Sequence, residues 1–189
     1  MVTAYLLFLA LVGAQRMGEL VVSQRNTRWA LARGGVELGQ GHFRLMKLLH
    51  GAFLFACAAE VVLLQRPIVP LLAVPMLALA LAAQGVRLWT MRTLGPHWNA
   101  RVIVVPGAPV VAAGPYRYVR HPNYLAVIVE GLAIPLMHGA WLTAAVFSVL
   151  NAALLAVRIH CEERALELHC PNAERLDALP RFLPRLGHA

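Results

Sequence analysis

The sequence predicts an all-α integral membrane protein with about five transmembrane helices. Three observations carry this expectation. Hydrophobic residues make up 59% of the 189 residues and charged residues only 14%, whereas a soluble domain carries about 25% charged residues. The apolar residues gather into five blocks separated by polar stretches. The cations are segregated: 14 of the 17 Lys and Arg fall in residues 23–47, 90–121 and 158–189, which a five-span chain places on one side. The positive-inside rule makes that side cytoplasmic and puts the N-terminus outside. The net charge of +8 is therefore a topology signal, and nucleic acid is not an expected partner. Heavy use of Ala, Leu, Val and Arg points to a GC-rich bacterial genome, and so to the bacterial cytoplasmic membrane.

The first span covers residues 2–22. No basic segment precedes it and no small-residue cleavage site follows, so it is expected to stay as a helix. Arg16 and Glu19 share a helix face three residues apart and are expected to pair near the interface, with Arg16 snorkelling. Residues 23–41 are expected to be a polar loop. Gly34, Gly35, Gly39 and Gly41 argue against one continuous helix there, and Trp29 to Ala32 are expected on the membrane surface. The second span covers residues 43–64 and the third residues 68–89. Pro70 and Pro75 are tolerable in a membrane helix whose neighbours satisfy the freed carbonyls.

Residues 94–124 form a long central loop. Its β-branched run Arg101-Val102-Ile103-Val104-Val105 predicts an extended segment, and Pro106-Gly107 predicts a turn. Pro122 suits the first turn of a helix. The fourth span, residues 122–137, covers only about 24 Å at 1.5 Å per residue, against a hydrocarbon core of about 30 Å. With a turn at His138-Gly139 and a fifth span over residues 140–157, it makes a tight hairpin. Cys57, Cys161 and Cys170 form no CxxC pair and imply no disulfide framework. His160-Cys161 and His169-Cys170 lack the geometry of zinc ligands on one helix face, and no metal is expected.

The candidate site lies in two polar clusters. The first is Gly114-Pro115-Tyr116-Arg117-Tyr118-Val119-Arg120-His121-Pro122-Asn123-Tyr124. It supplies aromatic rings, the imidazole of His121, and free backbone N–H groups at the helix start, which favour an anion. The second is Arg158-Ile159-His160-Cys161-Glu162-Glu163-Arg164, whose carboxylates with aromatic faces suit a cation. Both clusters are expected on the cytoplasmic face and close to each other. From composition alone, aromatics and Arg are equally ordinary interface anchors.

Gly114-Pro115-Tyr116-(x)3-Arg120-His121-Pro122-Asn123-Tyr124, followed after a hairpin by Arg158-(x)3-Glu162-Glu163, resembles the isoprenylcysteine carboxyl methyltransferase family and its phospholipid methyltransferase relatives. The resemblance covers roughly residues 85–185. It implies one membrane domain, with N-terminal helices over residues 1–84 and a cofactor-binding core over residues 85–185. It also implies S-adenosylmethionine as cofactor, bound in a cytoplasmic pocket formed by the central loop and the C-terminal helix. By the same resemblance His121, Pro122, Asn123 and Tyr124 match a cofactor-binding element and Tyr116 a cofactor-contacting tyrosine. Ala108, Pro109, Val110 and Val111 match a lining stretch, Ile103 a further contact, Glu162 a cofactor-binding glutamate, and Arg158 an arginine on the substrate side. Residues 169–179 depart from the family pattern: they hold no Phe, Tyr or Trp where many relatives carry a Phe-Gly and paired Tyr.

The implied reaction is methylation of a carboxylate, enol or phenol on an amphipathic, lipid-like substrate, either prenylcysteine-like or a long-chain polyketide. A carboxylate arrives ionised, with Arg158 to orient it by charge-assisted hydrogen bonds. A phenol gains from a general base, for which Glu130 in the fourth span is the candidate; an ion pair with Arg87 is its equal alternative. Membrane lipids surround the spans. Two further classes compete: an NADPH-dependent membrane reductase of the sterol-reductase type, and a non-enzymatic membrane protein. Clustering of the polar groups at one face weighs against the latter.

Overall fold

The computed structural model describes residues 1–183, so Pro184 and Arg185 of the basic tail lie outside the described residues. Five helices dominate: α1 (Val2–Leu31), α2 (Gln40–Leu63), α3 (Pro70–Leu94), α4 (Pro122–Leu136) and α5 (Trp141–His169). Four of them are long and apolar enough to cross a membrane, and α4 is a shorter apolar helix. At 15 residues, α4 is about 22 Å long. Large apolar side chains such as Leu7, Leu11, Phe55, Leu71 and Val149 face outward, as expected where the surrounding solvent is hydrocarbon rather than water.

Residues 23–31 are not a loop. They continue α1, because the side chains of Ser23, Asn26 and Thr27 serve the central loop instead of water. Ser23 Oγ bonds Asn99 Oδ1 at 2.7 Å and accepts from the Ala100 amide at 3.0 Å. Asn26 Nδ2 donates to the Trp98 carbonyl at 2.7 Å. The helix stops where Gly34 turns left-handed at φ +76°, and the Gly35 amide returns to the Ala30 carbonyl at 2.9 Å, a glycine-terminated helix end.

A short strand β1 (Val36–Leu38) follows. It pairs antiparallel with β2 (Val102–Val104), Val36 opposite Val104 and Leu38 opposite Val102. The extended segment expected at 101–105 is thus present with an unforeseen partner. The two strands tie the first connection to the central loop, and Arg101 Nη1 reaches Glu37 Oε1 at 2.9 Å.

Contacts sort the chain ends of the helices. Asn26 with Trp98, β1 with β2, and the tail with residue 120 lie at one end. At the other end the Tyr5 hydroxyl donates to the Ile134 carbonyl at 3.0 Å. There Glu60 accepts from the Leu142 and Thr143 amides at 3.2 and 2.7 Å and from Arg66 at 3.0 Å. Glu60 therefore caps α5, whose first-turn amides have no partner in the helix itself. The core between α1, α2, α4 and α5 is built from Tyr5, Leu9, Phe53, Cys57, Val61, Ile134 and Phe147. Gly131 of α4 lies against Phe147, and a Cβ there would sit 2.5 Å from the ring. Gly131→Val is expected to cost about 1–3 kcal/mol through overpacking, measured as a fall in melting temperature in detergent.

Candidate functional site

The start of α4 brings the two polar clusters together. Pro122 fixes the first helical residue and His121 sits at the N-cap, nearly fully buried. Two residues further on, the Tyr124 hydroxyl donates to the Glu162 carboxylate and accepts from Arg158 Nε at 2.8 Å. Arg158 and Glu162 are four residues apart on α5 and so share a face. Arg158 is buried, and its Nη2 donates to the Ala100 carbonyl at 2.5 Å. One tyrosine hydroxyl thus joins α4 to α5, and one guanidinium joins α5 to the central loop.

The neighbouring glutamates have different surroundings. Glu162 keeps 31% of its side chain exposed. Glu163 accepts from His121 Nε2 at 3.0 Å and from Arg181 at 2.7 and 3.1 Å, with Arg120 at 3.4 Å. The Glu163 carboxylate holds the exposed Arg181 guanidinium even more firmly charged than usual. The tail is fastened by main chain as well: the Arg120 and His121 amides donate to the Pro180 and Arg181 carbonyls at 2.9 and 3.0 Å, and Arg120 Nε donates to the Leu179 carbonyl at 2.8 Å. Phe182 then packs on Tyr124, Leu155 and Ile159. Sequence reasoning missed Arg181 as a partner of Glu163, because a lone surface arginine in a basic tail carries no distinguishing signal, and it gave Arg120 of the first polar cluster no partner.

A cavity of about 710 Å³ opens over these residues. Ile103, Ala108, Pro109, Val110, Val111, Tyr116, His121, Asn123, Tyr124, Arg158 and Glu162 all lie on its wall. Pro122 is buried behind it, and Tyr118 is 55% exposed outside it. Burial, with the Glu162 charge nearby, pushes the Tyr116 phenol above its ordinary range, so it stays a neutral donor. The same cavity runs down between α1 and α2 past Leu9, Gly13, Leu54 and Ala58. It has a polar end at the central loop and an apolar end at membrane depth.

Between those ends lies an ion network. Arg16 contacts Glu19 at 2.7 Å and Glu130 at 2.8 Å; Arg87 contacts Glu130 at 2.5 Å and Glu19 at 3.6 Å. Arg87 Nη1 also comes within 3.5 Å of Asn123 Oδ1. Arg16 therefore turns inward to α4 and does not snorkel to the interface, because Glu130 offers it a buried partner. Both Glu130 oxygens are engaged by guanidinium groups, so of the two readings of this residue the structure displays the ion pair. Among the described residues no three His, Cys, Asp or Glu side chains group to hold a metal ion.

The donor set fits a molecule that joins an aromatic base, a cationic centre and a polar end. Glu162 offers a part-exposed carboxylate, Tyr116 a ring and a neutral hydroxyl, and residues 108–111 an apolar lip, in a volume typical of small-molecule sites.

Residues 76–168 match the family model described as the isoprenylcysteine carboxyl methyltransferase (ICMT) family. The chain is 38% identical over 162 residues to the uncharacterised protein YpbQ of Bacillus subtilis, an alignment covering 85% of this chain and 95% of the relative. It is 28% identical over 167 residues to an uncharacterised Haemophilus influenzae protein, covering 87% and 95% respectively.

Proposed function

The chain belongs to the isoprenylcysteine carboxyl methyltransferase family of membrane methyltransferases, and from that premise we propose that it is an S-adenosylmethionine-dependent O-methyltransferase acting on an amphipathic, lipid-like acceptor. One observation supports this most. Glu162, Tyr116 and Arg158 share a single cavity with an apolar passage between α1 and α2, so cofactor and lipid tail have adjoining places. Glu162, Tyr116, residues 108–111 and the start of α4 from His121 to Tyr124 would hold the cofactor, with Ile103 on the same wall. When bound, it supplies a methyl group made electrophilic by the sulfonium.

The protein's part is positioning and exclusion of water. Arg158 is the substrate-side cation: Tyr124 and the Ala100 carbonyl hold its Nε and Nη2, which leaves Nη1 to orient the acceptor oxygen. Glu130 anchors the helices beneath. The three basic segments at one end of the molecule favour the cytoplasmic membrane face as the location of the polar end. The acceptor is a carboxylate or a phenolic or enolic hydroxyl carried on a long chain.

Calorimetric titration of the detergent-purified protein tests this reading. S-adenosylhomocysteine is expected to bind one to one and NADPH to give no heat; the reverse result would sink it in favour of a reductase. Glu162→Gln is expected to weaken S-adenosylhomocysteine by about 30-fold, the loss of one charge-assisted hydrogen bond of about 2 kcal/mol. Unchanged affinity in that variant would remove Glu162 from the cofactor site.

A further inference from the structure

We propose that the acceptor lipid carries a second polar group, a hydroxyl partway along its chain, and that His50 and Arg16 form the subsite that receives it. The inference rests on the methyltransferase reading above and deepens it by naming a feature of the substrate remote from the methylated oxygen.

The cavity wall changes character more than once along its length. Tyr124, Arg158 and Glu162 stand at its polar end, and Val127 of α4 and Leu155 of α5 follow as an apolar stretch. Arg16 and Glu19 of α1, His50 of α2 and Arg87 of α3 then form a second polar belt. Beyond the belt Leu6, Leu9, Leu54 and Ala58 are apolar again. A plain hydrocarbon tail has no use for such an interruption.

The belt is also too deep to serve the reacting group. Glu130, which holds Arg16 at 2.8 Å, lies six residues past Tyr124 on α4, about 9 Å further in. The His50 ring stands edge-on to Phe147 with centroids 5.4 Å apart, and Phe147 lies eleven residues from Arg158 on α5, about 16 Å. The belt therefore sits about 9–16 Å deeper than the arginine that orients the acceptor oxygen.

Most of the belt is committed internally. Arg16 Nη1 and Nη2 serve Glu19 and Glu130, and Arg87 Nη2 serves Glu130. Two cavity-wall atoms are left over. Arg16 Nε has no hydrogen-bond partner among the described residues and is not one of the sealed, unpartnered atoms. His50 Nδ1 is 2.9 Å from the Met46 carbonyl oxygen. A carbonyl only accepts, so Nδ1 carries the hydrogen and the lone pair of the neutral ring sits on Nε2. Nε2 likewise has no partner among the described residues and is not sealed.

One free donor and one free acceptor thus line a passage meant for a lipid. A methylene chain drawn past them displaces their water and returns no hydrogen bond, which is unfavourable. A hydroxyl suits both, because it accepts from an N–H and donates to a ring nitrogen. A carbonyl could serve Arg16 only. A second carboxylate is disfavoured, because Glu19 and Glu130 already match Arg16 and Arg87 charge for charge. A site built to bond a substrate hydroxyl rejects the analogue that lacks it.

The test uses the full chain in detergent, saturated with S-adenosylhomocysteine, and three matched fatty acids. Oleate and ricinoleate share chain length and double bond and differ by one mid-chain hydroxyl. The third is oleate hydroxylated beside its carboxylate. Calorimetry is expected to show ricinoleate binding about 10- to 100-fold tighter than oleate. The third probe should bind like oleate, because the position of the hydroxyl decides. In His50→Leu the preference for ricinoleate should shrink to about threefold or less, with oleate bound more tightly than by the wild type. Comparing the ratio between the two proteins cancels the probes' different partition into micelles. Equal wild-type affinity for ricinoleate and oleate, the result if water alone fills the belt, would overturn the proposal. So would an undiminished preference in His50→Leu, a third probe that binds like ricinoleate, or no binding of any probe. Should His50→Leu fail to fold, seen as loss of S-adenosylhomocysteine binding, the wild-type comparison of the three probes decides alone. A wild type that does not bind S-adenosylhomocysteine overturns the methyltransferase reading instead, and this one with it.

Discussion

Glu130→Ala is expected to lower stability by about 3–5 kcal/mol, the usual cost of removing one partner of a buried ion pair. The reason is arithmetic at membrane depth. Glu130 accepts from Arg16 at 2.8 Å and Arg87 at 2.5 Å, and without it two guanidinium groups share Glu19 alone. Arg87 is 6% exposed. The double variant Arg87→Leu with Glu130→Leu should recover most of the loss, because it leaves Arg16 and Glu19 as a neutral pair and replaces charge by apolar packing. Thermal unfolding of the three proteins in one detergent measures this. A Glu130→Ala protein with an unchanged melting temperature but greatly reduced turnover would instead make Glu130 the base.

Arg158→Lys is expected to reduce turnover by about 10²- to 10³-fold, the range found when one donor to a reacting oxygen is lost. Lysine keeps the charge but not the planar fork. The fork matters here because two of its nitrogens are spent on Tyr124 and Ala100, and that grip is what aims the third. S-adenosylhomocysteine affinity should stay within about threefold, since Glu162 and Tyr116 remain. Single-turnover methyl transfer alongside calorimetry separates the two effects. A matching collapse in cofactor affinity would move Arg158 from the acceptor side to the cofactor side.

Much of this molecule is legible in its sequence because hydropathy and charge are local. The spans, the short α4, the extended segment at 101–105 and the meeting of the two polar clusters follow from composition and motif. What escaped depended on distant partners. Residues 23–31 look like a loop because Ser23 and Asn26 are polar, and only Asn99 and Trp98, more than 70 positions away, explain why a helix buries them. β1 has three residues and becomes a strand only opposite β2. Residues 169–179 lack the aromatics of many relatives, yet the tail is fastened by the carbonyls of Leu179, Pro180 and Arg181. Main-chain acceptors leave no mark in composition. Glu162 and Glu163 are chemically identical in the sequence, and Arg181 is what distinguishes them.

The ion network has a consequence for how the chain enters the bilayer. A charged side chain left alone at the centre of a translocating helix costs about 2.5–3.5 kcal/mol. Arg16 and Glu19 lie on one face of α1, so the first helix to emerge inserts as a neutral unit. When α3 arrives, Arg87 finds Glu19 already waiting. When α4 follows, Glu130 finds both Arg16 and Arg87. Each new charge meets a counter-charge delivered earlier in synthesis. The order of the helices along the chain is thus also a workable order of membrane integration, with α4, the helix whose start frames the polar end of the cavity, locked in by partners made before it.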